Sequence, residues 1–313
     1  MGGIGKTELA IEIVLRLRRQ GRFKSIYSGT AKDKMMTPLG TQHVDPMFQD
    51  YSTFIADLAG WLGLEHSAAP DETETVSLEK KCLDELRARN NVLLFVDNLE
   101  TVKDSRLFQF LDDRLPDSVT LITTSRIHKL KGGLVLKTLD HLSARASAKL
   151  LRHELQRQSL DRLADTPIAE LEQKCEELYK HPLAIRWFAW ACGRDPSKWS
   201  SDASSLFLDK NIELFCVDNT LHSLSETARK VVSAIAALQD QIDVDGALIR
   251  KATSLSADLL EKNLWDLECS GLVRSVTEEL SGKCVYSVVP LAISPARELA
   301  RRFHWEACFV KAC

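Results

Sequence analysis

Val92-Leu93-Leu94-Phe95-Val96 sets five apolar residues in a row and ends in Asp97. A run this short has the length of a strand, and with no polar residue in it no face is left for water. Such a run belongs inside a parallel sheet covered on both sides. Parallel strands need crossover connections, so the flanking sequence must alternate helices with strands. It does. Leu9, Ala10, Ile13, Val14 and Leu17 recur at helical spacing and stop at Gly21. Phe23 to Tyr27 can form a strand, and residues 31–46 are polar and turn-rich. Asp45-Pro46 reads as the cap and first-turn proline of a helix that turns Phe54, Leu58, Trp61 and Leu62 inward. Residues 65–76 read as a loop, and Leu78, Cys82, Leu83 and Leu86 mark the next helix. A second apolar strand, over 119–126, ends in Thr123-Thr124-Ser125-Arg126.

Length and charge narrow the classes further. A chain of 313 residues exceeds one core and implies two or three domains. With 41 basic against 44 acidic residues, there is no electrostatic case for a nucleic-acid partner. No apolar run reaches the roughly 20 residues that span a bilayer, and the first residues do not form a secretory signal. The eight cysteines, at 82, 175, 192, 216, 269, 284, 308 and 313, contain no C-x-x-C pair and no zinc spacing. They read as free thiols in a reducing cytoplasm.

The chemistry sits at two places. Gly2-Gly3-Ile4-Gly5-Lys6-Thr7 ends the pattern G-x-x-x-x-G-K-[ST] and is followed at once by Glu8 and the first helix. Glycines let consecutive backbone N–H groups turn inward around an anion, and the helix aims its positive end at the same place. Lys6 can reach β- and γ-phosphates, and the Thr7 hydroxyl can ligate Mg²⁺. The first glycine of the pattern would fall one residue before Met1, and the strand that should feed the loop is missing too. The expectation is a reading frame that starts upstream, or an internal Met taken as the start. Some ninety residues later, Asp97 stands at the C-terminal end of the apolar strand, the edge where open α/β sheets bind ligands, and is the second candidate Mg²⁺ ligand. Asn98 follows it and, being a carboxamide, cannot take a proton. Glu100 has two readings, a water-activating base or a solvated loop residue, the second being favoured. Arg126 also has two: a γ-phosphate sensor acting through a bidentate bond, or a surface arginine.

The set Gly2-Gly3-Ile4-Gly5-Lys6-Thr7, Leu94-Phe95-Val96-Asp97-Asn98, Thr123-Thr124-Ser125-Arg126 and His181-Pro182-Leu183-Ala184, in this order and spacing, resembles the NB-ARC module of the signal-transduction ATPases with numerous domains (the STAND class). The resemblance covers roughly residues 1–300. It implies an α/β P-loop NTPase sheet with helices on both faces over 1–138, a helical subdomain over 139–215, a winged-helix subdomain over 216–300 and a tail over 301–313. It implies binding of ATP and ADP with Mg²⁺, slow or absent hydrolysis, and a switch that ADP closes and ATP opens for self-association or protein partners. Gly2, Gly3, Ile4, Gly5, Lys6, Thr7 and Glu8 would hold the nucleotide with Asp97 and Arg126. Pro182 would pack on the adenine. A steadily turning-over ATPase using Glu100, and a scaffold that binds only proteins, are the rival readings.

The rest of the chain fits that division. Leu142, Ala146, Leu150 and Leu151 begin a helical stretch, Thr166-Pro167 caps a further helix, and Leu183 to Cys192 form an apolar one with Trp187 and Trp190. Residues 199–220 read as a linker. Helices start at Ser225, near 245 and at Ser256, and Leu272–Val276 can pair with Cys284–Val288 across Ser281-Gly282, a winged-helix pattern. From Ser254 to Gly271 Lys262 stands against Asp258, Glu261, Asp266 and Glu268, so the segment repels phosphates and reads as a packing module rather than a DNA reader. Val289 stands where the family has a histidine for the β-phosphate of ADP, which implies a weaker or different ADP lock. No repeat of 20–50 residues and no effector segment is present in this stretch of sequence.

Overall fold

The structure, a computed structural model, describes residues 2–37, 40–67, 70–89, 91–126, 130, 135–200, 217, 219–277 and 283–310. It divides into two compact units. The sheet unit comprises Lys6–Thr37 and Thr41–Lys137. In chain order it holds α1 (Lys6–Arg19), β1 (Ser25–Thr30), β2 (Lys34–Thr37), β3 (Gly40–His43), α2 (Tyr51–Leu62), α3 (Glu72–Ala88), β4 (Val92–Asp97), α4 (Ser105–Gln109) and β5 (Val119–Thr123). β1, β4 and β5 form a parallel sheet with β4 in the middle, in a register that sets Tyr27 beside Leu94 and Thr30 beside Asp97. All six residues of β4 are buried, as its unbroken apolar pattern demands. β5, at the sheet's edge, is only half-buried. This is an α/β fold with a parallel sheet flanked by helices.

Local chemistry moves several boundaries. α2 is capped by Asp50, not Asp45: the Asp50 carboxylate accepts from Thr53 N at 2.8 Å, and the Thr53 hydroxyl accepts from Asp50 N at 3.1 Å. This reciprocal cap outcompetes Asp45-Pro46, which has no such partner three residues on. α3 starts inside the stretch expected as a loop, because Asp71 accepts from Glu74 N at 2.8 Å and Glu72 and Glu74 favour the helix's positive end. The strand expected at 23–27 lies at 25–30, drawn there by pairing with β4.

The unit's core forms where α2 and α3 meet the sheet. Phe54, Leu58, Leu78, Cys82, Leu86 and Leu94 are buried together. The Phe54 ring meets Tyr27, Phe48 and Phe110 edge-on at centroid distances of 6.0, 5.1 and 5.9 Å, the favoured aromatic geometry. α1 is packed less well. Ala10 is buried, but Leu9 and Ile13, expected on the buried stripe, are 44% and 39% exposed. A cavity of about 520 Å³, lined in part by Ile11, Val14, Ile26 and Phe95, lies beneath the helix.

The helical unit comprises Met1–Gly5, Pro38–Gly40 and Thr138–Cys313. α5 (Ala144–Arg157), α6 (Asp161–Ala164), α7 (Ile168–Glu177) and α8 (Pro182–Arg194) share a core of Leu151, Leu155, Leu171, Cys175, Ile185 and Phe188. α9 (Asn219–Ser223), α10 (Glu226–Leu238), α11 (Gly246–Thr253) and α12 (Ala257–Cys269) follow, then the antiparallel pair β6 (Val273–Thr277) and β7 (Cys284–Val288), α13 (Pro290–Arg302) and α14 (Glu306–Val310). Ser225, Asp245 and Ser256 cap α10, α11 and α12 by accepting from the backbone N–H three residues on. Most of the linker expected at 199–220, the Ser281-Gly282 turn, Cys216 and Cys313 lie outside the described residues. The six described cysteines are free, and burial pushes the Cys82 thiol up to about 12. Among the described residues no helix is long and apolar enough to cross a membrane.

Phe54→Ala should destabilise the protein by about 3–5 kcal/mol, read from the urea midpoint, since a fully buried aromatic leaves a cavity. His141 supplies a pH prediction: burial, then the Arg274 guanidinium, lowers its pKa below the ordinary histidine value. The unfolded chain therefore takes the proton more readily, and this contribution to stability is lost as pH falls from about 6.5 through the lowered folded value. The melting temperature should drop from pH 7.5 to 5.5, by less in His141→Gln.

Candidate functional site

Asp97 closes β4 with 5% of its surface exposed, so its carboxylate needs partners. It has three. Oδ1 accepts from Thr124 Oγ1 at 2.5 Å and from Thr7 Oγ1 at 2.7 Å, and Oδ2 accepts from Thr30 Oγ1 at 3.1 Å. Each donor comes from a different element. Thr7 lies in the first turn of α1, Thr30 ends β1 directly beside Asp97, and Thr124 follows β5. Thr124 also takes the Asn98 N–H at 3.0 Å, and Thr124 N donates to Val96 O at 3.1 Å. β5 ends at Thr123, the first residue of the hydroxyl and arginine cluster, rather than running on to Arg126.

The glycines that the sequence reads as a phosphate loop have backbone angles that suit one. Gly3 and Gly5 adopt φ of +70° and +99°, the left-handed region that glycine enters without a steric penalty. Such residues bend successive N–H groups toward one side, as an anion nest requires. Gly2 and Ile4 are buried, Lys6 and Thr7 open α1, and Glu8 is exposed on its first turn.

Glu100 and Arg126 are paired. Glu100 Oε1 lies 3.0 Å from Arg126 Nε, and Oε2 accepts from the Arg126 backbone N–H at 3.2 Å. Their side chains are 9% and 14% exposed. Glu100 is thus not the solvated loop residue the sequence favoured, because the turn after β5 brings an arginine onto it. Pro182 occupies the first position of α8, where a missing N–H does no harm.

Among the described residues no three His, Cys, Asp or Glu side chains form a metal cluster. The oxygen pair Thr7 and Asp97 nevertheless suits Mg²⁺, a hard cation held by few protein ligands and completed by water and phosphate oxygens. Thr30 and Thr124 were not singled out as site residues. Thr124 carried a weak signal in its hydroxyl cluster. Thr30 carried none, because only the parallel register sets it beside Asp97.

No protein-family model matches the chain, and no curated protein matches it. Solved structures do. A Walker-type ATPase of Pyrococcus abyssi is similar at 14% identity over 80% of this chain and 79% of that one, with a TM-score of 0.49. The RuvB Holliday junction branch migration motor of Thermotoga maritima is similar at 16% identity over 94% and 83%, with a TM-score of 0.35. A signal transduction ATPase with numerous domains and a tetratricopeptide repeat sensor, from Pyrococcus horikoshii, is similar at 14% identity over 99% and 41%, with a TM-score of 0.35.

A double-mutant cycle with Glu100→Gln and Arg126→Gln should return a favourable coupling of roughly 0.5–3 kcal/mol in thermal or urea unfolding, as for charged residues in direct contact. A coupling near zero would show that the two side chains act independently.

Proposed function

We propose that this chain binds ATP and ADP with Mg²⁺ and acts as a nucleotide-dependent switch of NB-ARC type. The observation that carries the reading is the 2.7 Å approach of the Thr7 hydroxyl to the Asp97 carboxylate. Two oxygen ligands ninety residues apart in sequence meet at the start of a helix and the end of a buried strand. The nucleotide's phosphates would lie against the backbone N–H groups of Gly2 to Gly5, with Lys6 as counter-charge and Glu8 beside them in the first turn of α1. Thr7 and Asp97 would hold Mg²⁺, which when bound neutralises charge on the β- and γ-phosphate oxygens. The resemblance assigns Arg126 to the γ-phosphate and Pro182 to the adenine.

The same residues support slow hydrolysis as part of this reading. Asn98 cannot accept a proton, and both oxygens of Glu100 are engaged by Arg126. The helices α5–α8 would form the helical subdomain, and α10–α12 with β6 and β7 the winged-helix subdomain. Arg274 on β6 pairs with Asp140, which supports packing as the hairpin's role. Exchange of ADP for ATP would release partner surfaces or allow self-association. The acidic face of α12 argues against nucleic acid as partner.

The test is titration with fluorescent ADP and ATP in Mg²⁺. Lys6→Ala should weaken binding by about 2–4 kcal/mol, roughly 30- to 1,000-fold, on loss of the phosphate-facing charge. A folded chain that binds neither nucleotide would overturn the reading, and a hydrodynamic radius that ATP-Mg²⁺ leaves unchanged would count against opening.

A further inference from the structure

His181 has no exposed surface, and its ring lies against the opening residues of the chain within the helical unit. Nε2 is 3.1 Å from the Gly2 carbonyl oxygen. A carbonyl only accepts, so Nε2 carries the hydrogen and donates it. The next residue is pressed onto the same turn. A Cβ on Gly3 would stand 2.7 Å from Leu183 Cβ and 3.2 Å from His181 Cε1. Gly2-Gly3 therefore lies directly on the His181–Leu183 segment, and the close approach as well as the positive φ demands glycine.

The segment that presents His181 is itself held in an unusual shape. Tyr179 and Lys180 have φ of 52° and 53°, a left-handed pair of non-glycine residues between α7 and α8. Lys180 N donates to Cys175 O at 2.8 Å, and His181 N donates to Leu178 O at 3.0 Å. Leu142 N donates to Lys180 O at 3.3 Å, and the His141 ring stands perpendicular to that of His181 at 5.9 Å. Strained backbone of this kind persists where its surroundings over-determine it, and it gathers at functional sites.

What His181 does to the loop follows from peptide geometry. In a trans peptide the C=O of one residue and the N–H of the next point in opposite directions. Holding the Gly2 carbonyl toward the imidazole turns the Gly3 N–H away from it. We infer that His181 is a positioning residue for the phosphate loop: by donating to the Gly2 carbonyl it orients the Gly2–Gly3 peptide so that the Gly3 N–H is presented to a phosphate oxygen. The inference rests on the nucleotide reading above and adds to it a residue outside the loop that sets the loop's anion-binding shape.

The test compares wild type, Lys6→Ala, His181→Leu, His181→Gln and His181→Asn, each checked for folding, by titration with ADP and with adenosine. Gln carries an N–H donor near the place of Nε2, Leu carries none, and the Asn amide falls one methylene short. His181→Leu and His181→Asn should bind ADP about tenfold more weakly, the loss expected for one oriented hydrogen bond, and His181→Gln should stay within about threefold of wild type. Adenosine, which has no phosphate, should bind all the His181 variants alike. Amide hydrogen exchange across residues 2–6 should quicken in the Leu and Asn variants and not in Gln. Should His181→Leu not fold, the Gln and Asn pair carries the comparison. Equal losses for ADP and adenosine, or an ADP affinity indifferent to all three substitutions while Lys6→Ala abolishes binding, would overturn the role of His181 alone. Wild type that binds no nucleotide, or binds as Lys6→Ala does, would overturn the nucleotide reading and this inference with it.

Discussion

The structure depends on a carboxylate kept at the end of a strand that water does not reach. β4 is buried along its whole length, so Asp97 arrives at the sheet's edge with little solvent to satisfy it. A buried carboxylate is tolerated only when its oxygens are hydrogen-bonded. Three threonine hydroxyls meet that need, from α1, β1 and the turn after β5. The same bonds therefore fix where α1 begins, where β1 ends and where the chain leaves β5. The carboxylate is thereby tied to three different elements at once.

Around this point the side chains are organised in pairs rather than standing free. Glu100 and Arg126 satisfy each other in largely buried surroundings, which orders the turn that follows β5. The under-packed α1, with Leu9 and Ile13 half in solvent and a cavity beneath it, contrasts with the dense aromatic core under α2. Stability in the sheet unit thus resides on the α2–α3 side, and the helix that carries Lys6 and Thr7 is the more loosely held.

In the helical unit the determining feature is the turn between α7 and α8. Two left-handed residues, a proline at the first helical position and a buried histidine force the chain into one path. That path brings His181 and Leu183 up against Gly2 and Gly3. The requirement for glycine at position 3 is accordingly double: backbone angle and space.

Much of this was legible in the sequence, for a physical reason. Burial on both faces demands an unbroken apolar run, so β4 and the α/β class could be read from Val92–Val96, and glycines beside Lys6-Thr7 marked the loop because few other residues adopt its angles. The helix starts at Ser225 and Ser256 match the sequence reading, each hydroxyl accepting from the backbone N–H three residues on. The α2 start was misread because two capping aspartates competed, and only the one with a reciprocal partner won. Sequence by itself determined the strand, the loop and the carboxylate. The tertiary structure decided the partners: Thr30 reaches Asp97 through parallel register, Arg126 reaches Glu100 through a turn, and His181 reaches Gly2 across 179 positions of sequence. Periodicity and residue type report how a segment meets solvent, whereas which distant side chain meets which depends on packing that no local pattern encodes.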